Sequence, residues 1–255
     1  MDVKNITFKK CAVMVAAVNE VQSLKETIED LQAVCSPDDV AEFIIYLAPF
    51  ATSECKNMAE SIEKSIPGAI PVVIVSQKPN LPIMFSLKEY LKARNEITHL
   101  AILPADRDLE VAYIPAMLAV SKVCPNALVR PSRFMVGGQT NDNKSAVTAF
   151  LLSAAQWLIR ILFNTRFTDP TYGVSVIPCG IFTRFHFCET SVSCILEFTL
   201  PFFKLKLPAI ELPAVQKARE ENESTNSFGK KMRYLVPLFK IFFTPKSKLL
   251  EEQDD

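Results

Sequence analysis

Four short apolar runs, each followed by a segment with helical spacing, occupy the first part of this chain. The runs have the length of buried strands and fall at residues 11–18, 42–47, 70–75 and 100–103. In the first intervening segment Leu24, Ile28 and Leu31 recur at the spacing of one helical face. Strands that alternate with helices form right-handed βαβ units around a parallel sheet. The pattern therefore predicts an α/β fold with a mostly parallel central sheet and helices on both faces.

The second half of the chain continues this pattern less regularly. A long apolar helix is expected at about residues 145–164, and the two prolines of residues 207–215 indicate an edge strand. Further helices are predicted at about 112–123 and 196–204, and further strands at 127–135 and 174–177. We expect a single domain over residues 1–235. Residues 236–255 then hold the end of a basic amphipathic helix (230–243) and a disordered acidic tail.

Charge and hydropathy exclude several classes of protein. Lysine plus arginine equals aspartate plus glutamate at 28 each, so no net field favours nucleic acid as a partner. The first ten residues are polar and charged, unlike a signal peptide. The longest apolar stretch, 146–159, falls short of the roughly 20 residues that cross a bilayer. We therefore expect a protein that is soluble or lies on a membrane surface.

The seven cysteines are scattered and form no Cys-x-x-Cys pair. This spacing is typical of reduced thiols in a cytoplasmic protein rather than of a disulfide framework. His186, Cys188 and Cys194 are the nearest approach to a metal cluster, and ordinary core packing is the alternative interpretation.

Two aspartates follow the fourth predicted strand, where parallel α/β sheets place their ligands. Asp106 and Asp108 come after the turn residue Pro104, and carboxylates two apart in an extended loop point the same way. Such a pair suits a hard divalent cation with a diphosphate attached. Aspartate is also a common turn former, so the same pair fits two solvated turn residues.

Five segments, taken in order, resemble a known family. They read AAVNEVQSLKETIEDL, ILPADRDLEVAYIPAML, VRPSRFMVGG, TDPTYGVSVI and IELPAVQKAR, and together they span roughly residues 10–235. The chain resembles the inverting glycosyltransferases of family 2, which have the GT-A fold, and within them the dolichol-phosphate-mannose-synthase-like branch. Pro104 stands where that family has the first aspartate of its Asp-x-Asp motif, so the matching acid is Asp106.

The resemblance implies transfer of a sugar, with inversion, from a nucleotide-diphosphate donor to a polyprenyl (lipid) phosphate or a glycan. It implies Mg²⁺ or Mn²⁺ as cofactor, with Asp106 as metal ligand; a shifted register makes Asp106 and Asp108 the metal-binding pair but offsets the helix that follows. The implied nucleotide and phosphate contacts are Asn19, Glu20, Asn80, Arg133, Lys217 and Arg219, and the implied catalytic acids are Glu197 and Asp169. The final helix would then contact the membrane peripherally.

Each of these residues also has a structural interpretation. Asn19 fits a helix N-cap, and Asp169 fits a turn-forming aspartate before proline. The basic residues fit solvated surface charges, and Glu197 is either exposed or buried with a raised pKa. The final helix either lies in lipid headgroups or packs on the domain. The alternative function is a catalytically inactive GT-A-like protein that serves binding or assembly. A nucleotidyltransferase is disfavoured, because AAVNEVQSL lacks a glycine-rich loop.

Overall fold

A computed structural model describes residues 6–65, 68–140, 146–217 and 235–251 of the chain. The strands in these ranges are β1 (Lys10–Ala17), β2 (Val40–Leu47), β3 (Val72–Ser76), β4 (Ile97–Pro104), β5 (Leu128–Ser132), β6 (Ser175–Pro178) and β7 (Ala209–Pro213). The helices are α1 (Gln22–Val34), α2 (Ser53–Ser65), α3 (Phe85–Lys92), α4 (Tyr113–Val123), α5 (Ala146–Phe163), α6 (Cys179–Phe182), α7 (Cys194–Leu205) and α8 (Leu235–Phe243). A 3-10 turn covers Lys246–Lys248.

The described strands form one mixed sheet in the order β3-β2-β1-β4-β6-β5-β7. The pairs β1–β2, β1–β4, β2–β3 and β5–β7 are parallel. Strand β6 runs antiparallel to both β4 and β5. The predicted mostly parallel α/β fold is therefore confirmed, and β6 supplies its antiparallel member.

The central strands are buried on both faces. Alternate residues of β1 enter different cores: Ala12 and Met14 pack on one side, and Cys11, Val13 and Val15 on the other. Such alternation follows from the two-residue period of a strand. The helices that cover both faces explain why β1, β2 and β4 read as continuous apolar runs.

One edge of the sheet collects the loops that matter for function. Ala16 of β1 lies beside Pro104 of β4, and Leu47 of β2 beside Ser76 of β3, so these strands end together. Ser132 of β5 pairs with Pro213 of β7, and these strands run in the same direction as β4 because β6 is antiparallel to its neighbours. We call this side the carboxyl edge. It is where open α/β sheets bind their ligands.

The C-terminal part of the chain packs on the domain. Helix α8 buries Leu238 and Ile241 in the same core as Met14 of β1. Beyond it, Glu251 donates its backbone N–H to the Arg184 oxygen, and its carboxylate accepts the buried Lys88 ammonium at 2.5 Å. The expectation of a disordered acidic tail is therefore wrong for Glu251, and residues 252–255 lie outside the described ranges. The predicted domain boundary at residue 235 stays a prediction.

Other expectations receive direct answers. All seven cysteines are free thiols, as predicted. His186, Cys188 and Cys194 do not form a metal cluster: Cys194 is buried, Cys188 is exposed, and the described residues contain no group of three potential ligands. Among the described residues, no helix has the length and apolarity needed to span a bilayer.

Candidate active site

The loop after β4 turns sharply between the two predicted metal ligands. Arg107 adopts a left-handed φ of 55° and pairs with Asp30 of α1 at 2.8 Å. On either side of it, Asp106 is 8% exposed and Asp108 is 3% exposed. The Asp108 N–H points to Asp106 Oδ1 at 3.4 Å. The two carboxylates are thus buried and close along the chain, and neither is a solvated turn residue.

Both oxygens of the Asp108 carboxylate accept hydrogen bonds from the protein. The Tyr172 hydroxyl donates to Oδ1 at 3.2 Å, and the Gln216 amide donates to Oδ2 at 2.9 Å. The Asp108 backbone oxygen also accepts the Lys217 N–H at 2.8 Å. Asp108 therefore ties the loop after β4 to the segments before β6 and after β7.

Arg133, directly after β5, forms a buried ion pair with Asp169. Its Nε and Nη2 donate to the two carboxylate oxygens at 2.7 and 3.0 Å, in the fork geometry that suits carboxylates. Asp169 is fully buried and Arg133 is 8% exposed. Burial on its own would lower the pKa of Arg133, but hydrogen bonds to Asp169 and the charges of Asp169 and Asp108 outweigh burial and raise it. The guanidinium also lies 4.2 Å from the Tyr172 ring centroid, a cation–π contact.

Gln216 joins the two aspartate clusters. Its side-chain oxygen accepts from Arg133 Nη1 at 3.2 Å, while its amide nitrogen donates to Asp108. Thr140 donates to the same oxygen at 3.1 Å. A continuous polar network thus runs across the carboxyl edge from Asp108 through Gln216 and Arg133 to Asp169.

Residues of β7 and of the turn at Gly137–Gly138 hold the backbone around this network. The Glu211 carboxylate accepts the backbone N–H groups of Thr168 and Asp169 at 2.7 and 2.8 Å. Gly138 packs directly on the end of β5, since a Cβ added there would lie 2.5 Å from the Ser132 oxygen. The chain therefore approaches the end of β5 so closely at Gly138 that this position requires glycine.

Three predicted nucleotide contacts lie at the ends of β1 and β3. The Glu20 carboxylate accepts the backbone N–H groups of Val18 and Asn19 at 2.7 and 3.1 Å, which closes the turn after β1. The N-cap alternative for Asn19 is wrong, because α1 begins at Gln22 with Val21 as its N-cap. Asn80 is exposed and takes a left-handed φ of 63°, which asparagine tolerates better than most residues.

Glu197 is buried in the first turn of α7, at 5% exposure. Its two oxygens accept the backbone N–H groups of Cys188 and Glu189 at 2.9 and 3.0 Å. Burial raises the pKa of this carboxyl to about 6, although the two hydrogen bonds oppose the shift. The exposed interpretation of Glu197 is therefore wrong, and the buried interpretation is confirmed. Its hydrogen-bond partners are separate from those of the Asp108–Asp169 network.

The two remaining basic candidates follow β7. Lys217 is half-exposed and pairs with Glu110 at 2.7 Å. Arg219 lies outside the described residues. Within the described part of the carboxyl edge, Arg133 is thus committed to Asp169, and Lys217 carries the more accessible positive charge.

The donor set fits a cation that arrives with a diphosphate better than a resident one. Mg²⁺ uses one or two carboxylates plus substrate phosphates, and its remaining positions hold water. Asp106 supplies one carboxylate and Asp108 a second, whose oxygens also accept hydrogen bonds from Tyr172 and Gln216. No cluster of three His, Cys, Asp or Glu side chains occurs in the ranges that the structure covers. The residues present therefore fit a metal–diphosphate complex at the turn that holds Asp106 and Asp108.

Several residues of the network escaped the sequence reasoning. Tyr172 and Glu211 lie inside segments that carried the family resemblance, but tyrosine and glutamate in those segments gave no sign of their partners. Gln216 contacts two loops that each lie more than 80 residues before it in the sequence. Pairings of this kind depend on the sheet order and are not readable from local spacing.

Comparison with known proteins identifies the fold. No family model matches the chain, and no curated protein matches it. The solved structure of glucosyl-3-phosphoglycerate synthase from Mycobacterium tuberculosis with Mn²⁺, UDP and phosphoglyceric acid superimposes with a TM-score of 0.69. Its sequence identity is 14%, over 94% of this chain and 80% of that chain. The same enzyme with Mg²⁺ and UDP gives a TM-score of 0.69 at 15% identity, over 94% and 81% of the two chains. These levels of identity establish the GT-A fold and nothing finer.

Proposed function

We propose that this chain is a glycosyltransferase that moves a sugar from a nucleotide-diphosphate donor to an acceptor, with inversion. The observation that carries the proposal is the position of Asp106. It follows β4 at the carboxyl edge, in a fold whose solved neighbours hold UDP with Mn²⁺ or Mg²⁺. The sequence motifs further favour the family 2, dolichol-phosphate-mannose-synthase-like branch, with a single GT-A domain over residues 1–235.

The residues would divide the work as follows. Asp106 would hold Mg²⁺ or Mn²⁺, with Asp108 orienting the loop, and the bound cation would neutralise charge on the diphosphate leaving group. Asn19, Glu20 and Asn80 would contact the nucleotide. Lys217 and Arg219 would approach the phosphates, and Arg133 would support that role from its ion pair with Asp169.

Glu197 suits an acid–base role in the transfer. Its pKa of about 6 makes it mostly ionised at neutral pH yet able to hold a proton, which is the condition for a general base. An acceptor phosphate is already ionised near neutral pH and needs no base, whereas a glycan hydroxyl does. The acceptor is therefore a polyprenyl phosphate if Glu197 is dispensable for transfer and a glycan if it is required.

The chain is expected to work in the cytoplasm, where its seven free thiols stay reduced. A peripheral membrane contact through residues 230–243, of which 235–243 are described, would bring the domain to a lipid-linked acceptor.

A binding or assembly protein without transferase activity is the second candidate. Three observations favour it: Pro104 replaces an expected acid, both oxygens of Asp108 accept hydrogen bonds from the protein, and the Arg133 charge is neutralised by Asp169. These features weaken a metal site without removing Asp106.

A thermal-shift screen combined with a turnover assay separates the candidates. UDP- and GDP-sugars are tested with and without Mn²⁺, because a ligand at 100 times its Kd stabilises the folded state by about 2.7 kcal/mol. A transferase gives Mn²⁺-dependent stabilisation and donor turnover, and Asp106→Asn loses both. The matched control is Asp30→Asn, which removes an exposed aspartate that pairs with the neighbouring Arg107.

Stabilisation without turnover with any acceptor supports the binding protein. Absence of stabilisation by every nucleotide sugar contradicts the transferase and favours the binding or assembly protein, whereas donor turnover contradicts the latter.

A further inference from the structure

Two neighbouring helices carry apolar side chains that the core does not use. On α5, Trp157 is 64% exposed and Ile161 is 55% exposed, one helical turn apart. On α8, the exposed fractions are 63% for Val236, 41% for Phe239 and 74% for Phe243. We call these five residues the α5–α8 surface. Single exposed apolar residues are ordinary, but several on two helices that pack together indicate an interaction site.

The helices that present this surface are firmly anchored to the domain and to each other. The Phe163 and Phe242 rings meet edge to face, with centroids 5.9 Å apart. Lys204 of α7 donates to the backbone oxygens of Ile241 and Phe242 at the end of α8. The opposite side of α8 is buried through Leu238 and Ile241. The exposed apolar side chains are therefore held outward on a rigid support.

The two segments that carry the α5–α8 surface contain basic but no acidic residues. Residues 153–163 and 235–250 contain no aspartate or glutamate. Arg160, Lys246 and Lys248 are exposed within these segments. Just beyond α5, a groove of about 350 Å³ is lined by two basic residues, Arg166 and Lys206, and one acidic residue, Glu211. An anionic surface complements such a border, whereas a second copy of this chain would bring lysines against lysines.

We propose that the α5–α8 surface docks on an anionic phospholipid membrane. The aromatic and aliphatic side chains enter the headgroup region, and the basic residues contact lipid phosphates. The structure thus adds α5, with Trp157, to the membrane contact that the sequence predicted for the final helix alone. The inference does not depend on sugar transfer, since a binding protein of the same fold would dock in the same way.

The chain carries its own probe for this contact. Trp157 is its single tryptophan, so tryptophan emission reports on the α5–α8 surface alone. The full chain is mixed with vesicles of phosphatidylcholine, with or without phosphatidylglycerol, and its emission and co-sedimentation are recorded. We expect a blue shift and sedimentation with the anionic vesicles only, both reduced by added salt.

Two variants and one control test the assignment to these residues. Phe239→Ser with Phe243→Ser is expected to weaken vesicle binding by about tenfold or more, because two apolar side chains leave the lipid. Lys246→Glu with Lys248→Glu is expected to weaken it by about tenfold or more. Phe50→Ser, 72% exposed on the loop between β2 and α2, is the matched control and should bind as the parent does.

Other outcomes overturn the proposal. One is an unchanged emission with both vesicle types, and another is equal binding to neutral vesicles. A third is a dimer in solution in which Trp157 already shows blue-shifted emission without vesicles, and in which Phe243→Ser shifts that emission back to the red. This result would assign the surface to a second copy of the chain.

Discussion

The buried ion pair between Arg133 and Asp169 offers a sharp test of the site's construction. Replacing Asp169 by asparagine keeps the shape of the side chain but removes its charge. Arg133 would then be a buried cation that has lost its fork partner, with contacts now at 2.7 and 3.0 Å. Breaking a buried pair in this way costs about 3–5 kcal/mol. We therefore expect Asp169→Asn to lower the free energy of unfolding by that amount.

A second ion pair in the chain has the same interatomic distance but is exposed, and it serves as the control. Lys217 and Glu110 are also 2.7 Å apart, yet their side chains are 52% and 53% exposed. Exposed pairs contribute about 0–1 kcal/mol, so Glu110→Gln should change stability by no more than this. Urea unfolding followed by circular dichroism measures both variants, and the Asp169→Asn midpoint should fall by about 1 M or more.

Equal effects of Asp169→Asn and Glu110→Gln would refute the reasoning. So would a loss below about 1 kcal/mol for Asp169→Asn, because Arg133 would then have found water or another acceptor. A double variant with Arg133→Met isolates the pair: it should recover part of the loss, since no unpaired charge remains buried.

Further predictions concern Glu197 and Gly138. Because the pKa of Glu197 is raised to about 6 from an ordinary value of 4.5, the folded chain holds this proton more tightly than the unfolded chain. The resulting contribution to the free energy of unfolding is fully present below the pKa of the unfolded chain and is lost as pH rises through about 6. Between about pH 4 and 7 the free energy of unfolding of the parent should therefore fall by up to about 2 kcal/mol relative to that of Glu197→Gln. Stability curves of both proteins against pH test this, and parallel curves would contradict it. Gly138→Ala should cost about 1–3 kcal/mol, because its Cβ meets the Ser132 backbone at 2.5 Å. Gly173→Ala, where the nearest atom belongs to the flexible Ile195 side chain at 3.2 Å, should lower the free energy of unfolding by less. Urea unfolding of both variants measures the difference.

The sheet was largely predictable because its signal is local. Buried parallel strands need continuous apolar runs, and residues 11–18, 42–47 and 100–103 carry them. Strand β6 was expected in the correct place, but its direction depends on its neighbours β4 and β5, which no local pattern encodes. Glu251 was placed in a disordered tail because an acidic run is usually solvated, whereas here the buried Lys88 holds it.

The candidate site was predictable residue by residue but not as a network. The sequence predicted Asp106 and Asp108 after a strand, Arg133 in the last part of another and Asp169 in a turn, and the structure brings all four to one edge of the sheet. It did not indicate that Arg133 would be neutralised by Asp169, or that Gln216 would connect Arg133 with Asp108. Such contacts join segments that meet only after the sheet has formed.

The final helix illustrates why one sequence pattern can fit two interpretations. Its sequence fitted either packing on the domain or contact with a membrane. Leu238 and Ile241 are buried, while Phe239 and Phe243 are exposed, so the helix has apolar residues on both its buried and its exposed face. The sequence of the helix alone does not show which of the two faces packs on the domain, because both are apolar.

The central claim is that Asp106 holds a cation together with a nucleotide diphosphate at the carboxyl edge. Isothermal titration of UDP and GDP into the full chain, with Mn²⁺ present or absent, tests it most directly. We expect at least one of the two nucleotides to bind, and its binding to require Mn²⁺. The affinity should fall by about tenfold or more in Asp106→Asn and stay unchanged in Asp30→Asn. Binding that ignores Mn²⁺, or that survives Asp106→Asn unchanged, would contradict it.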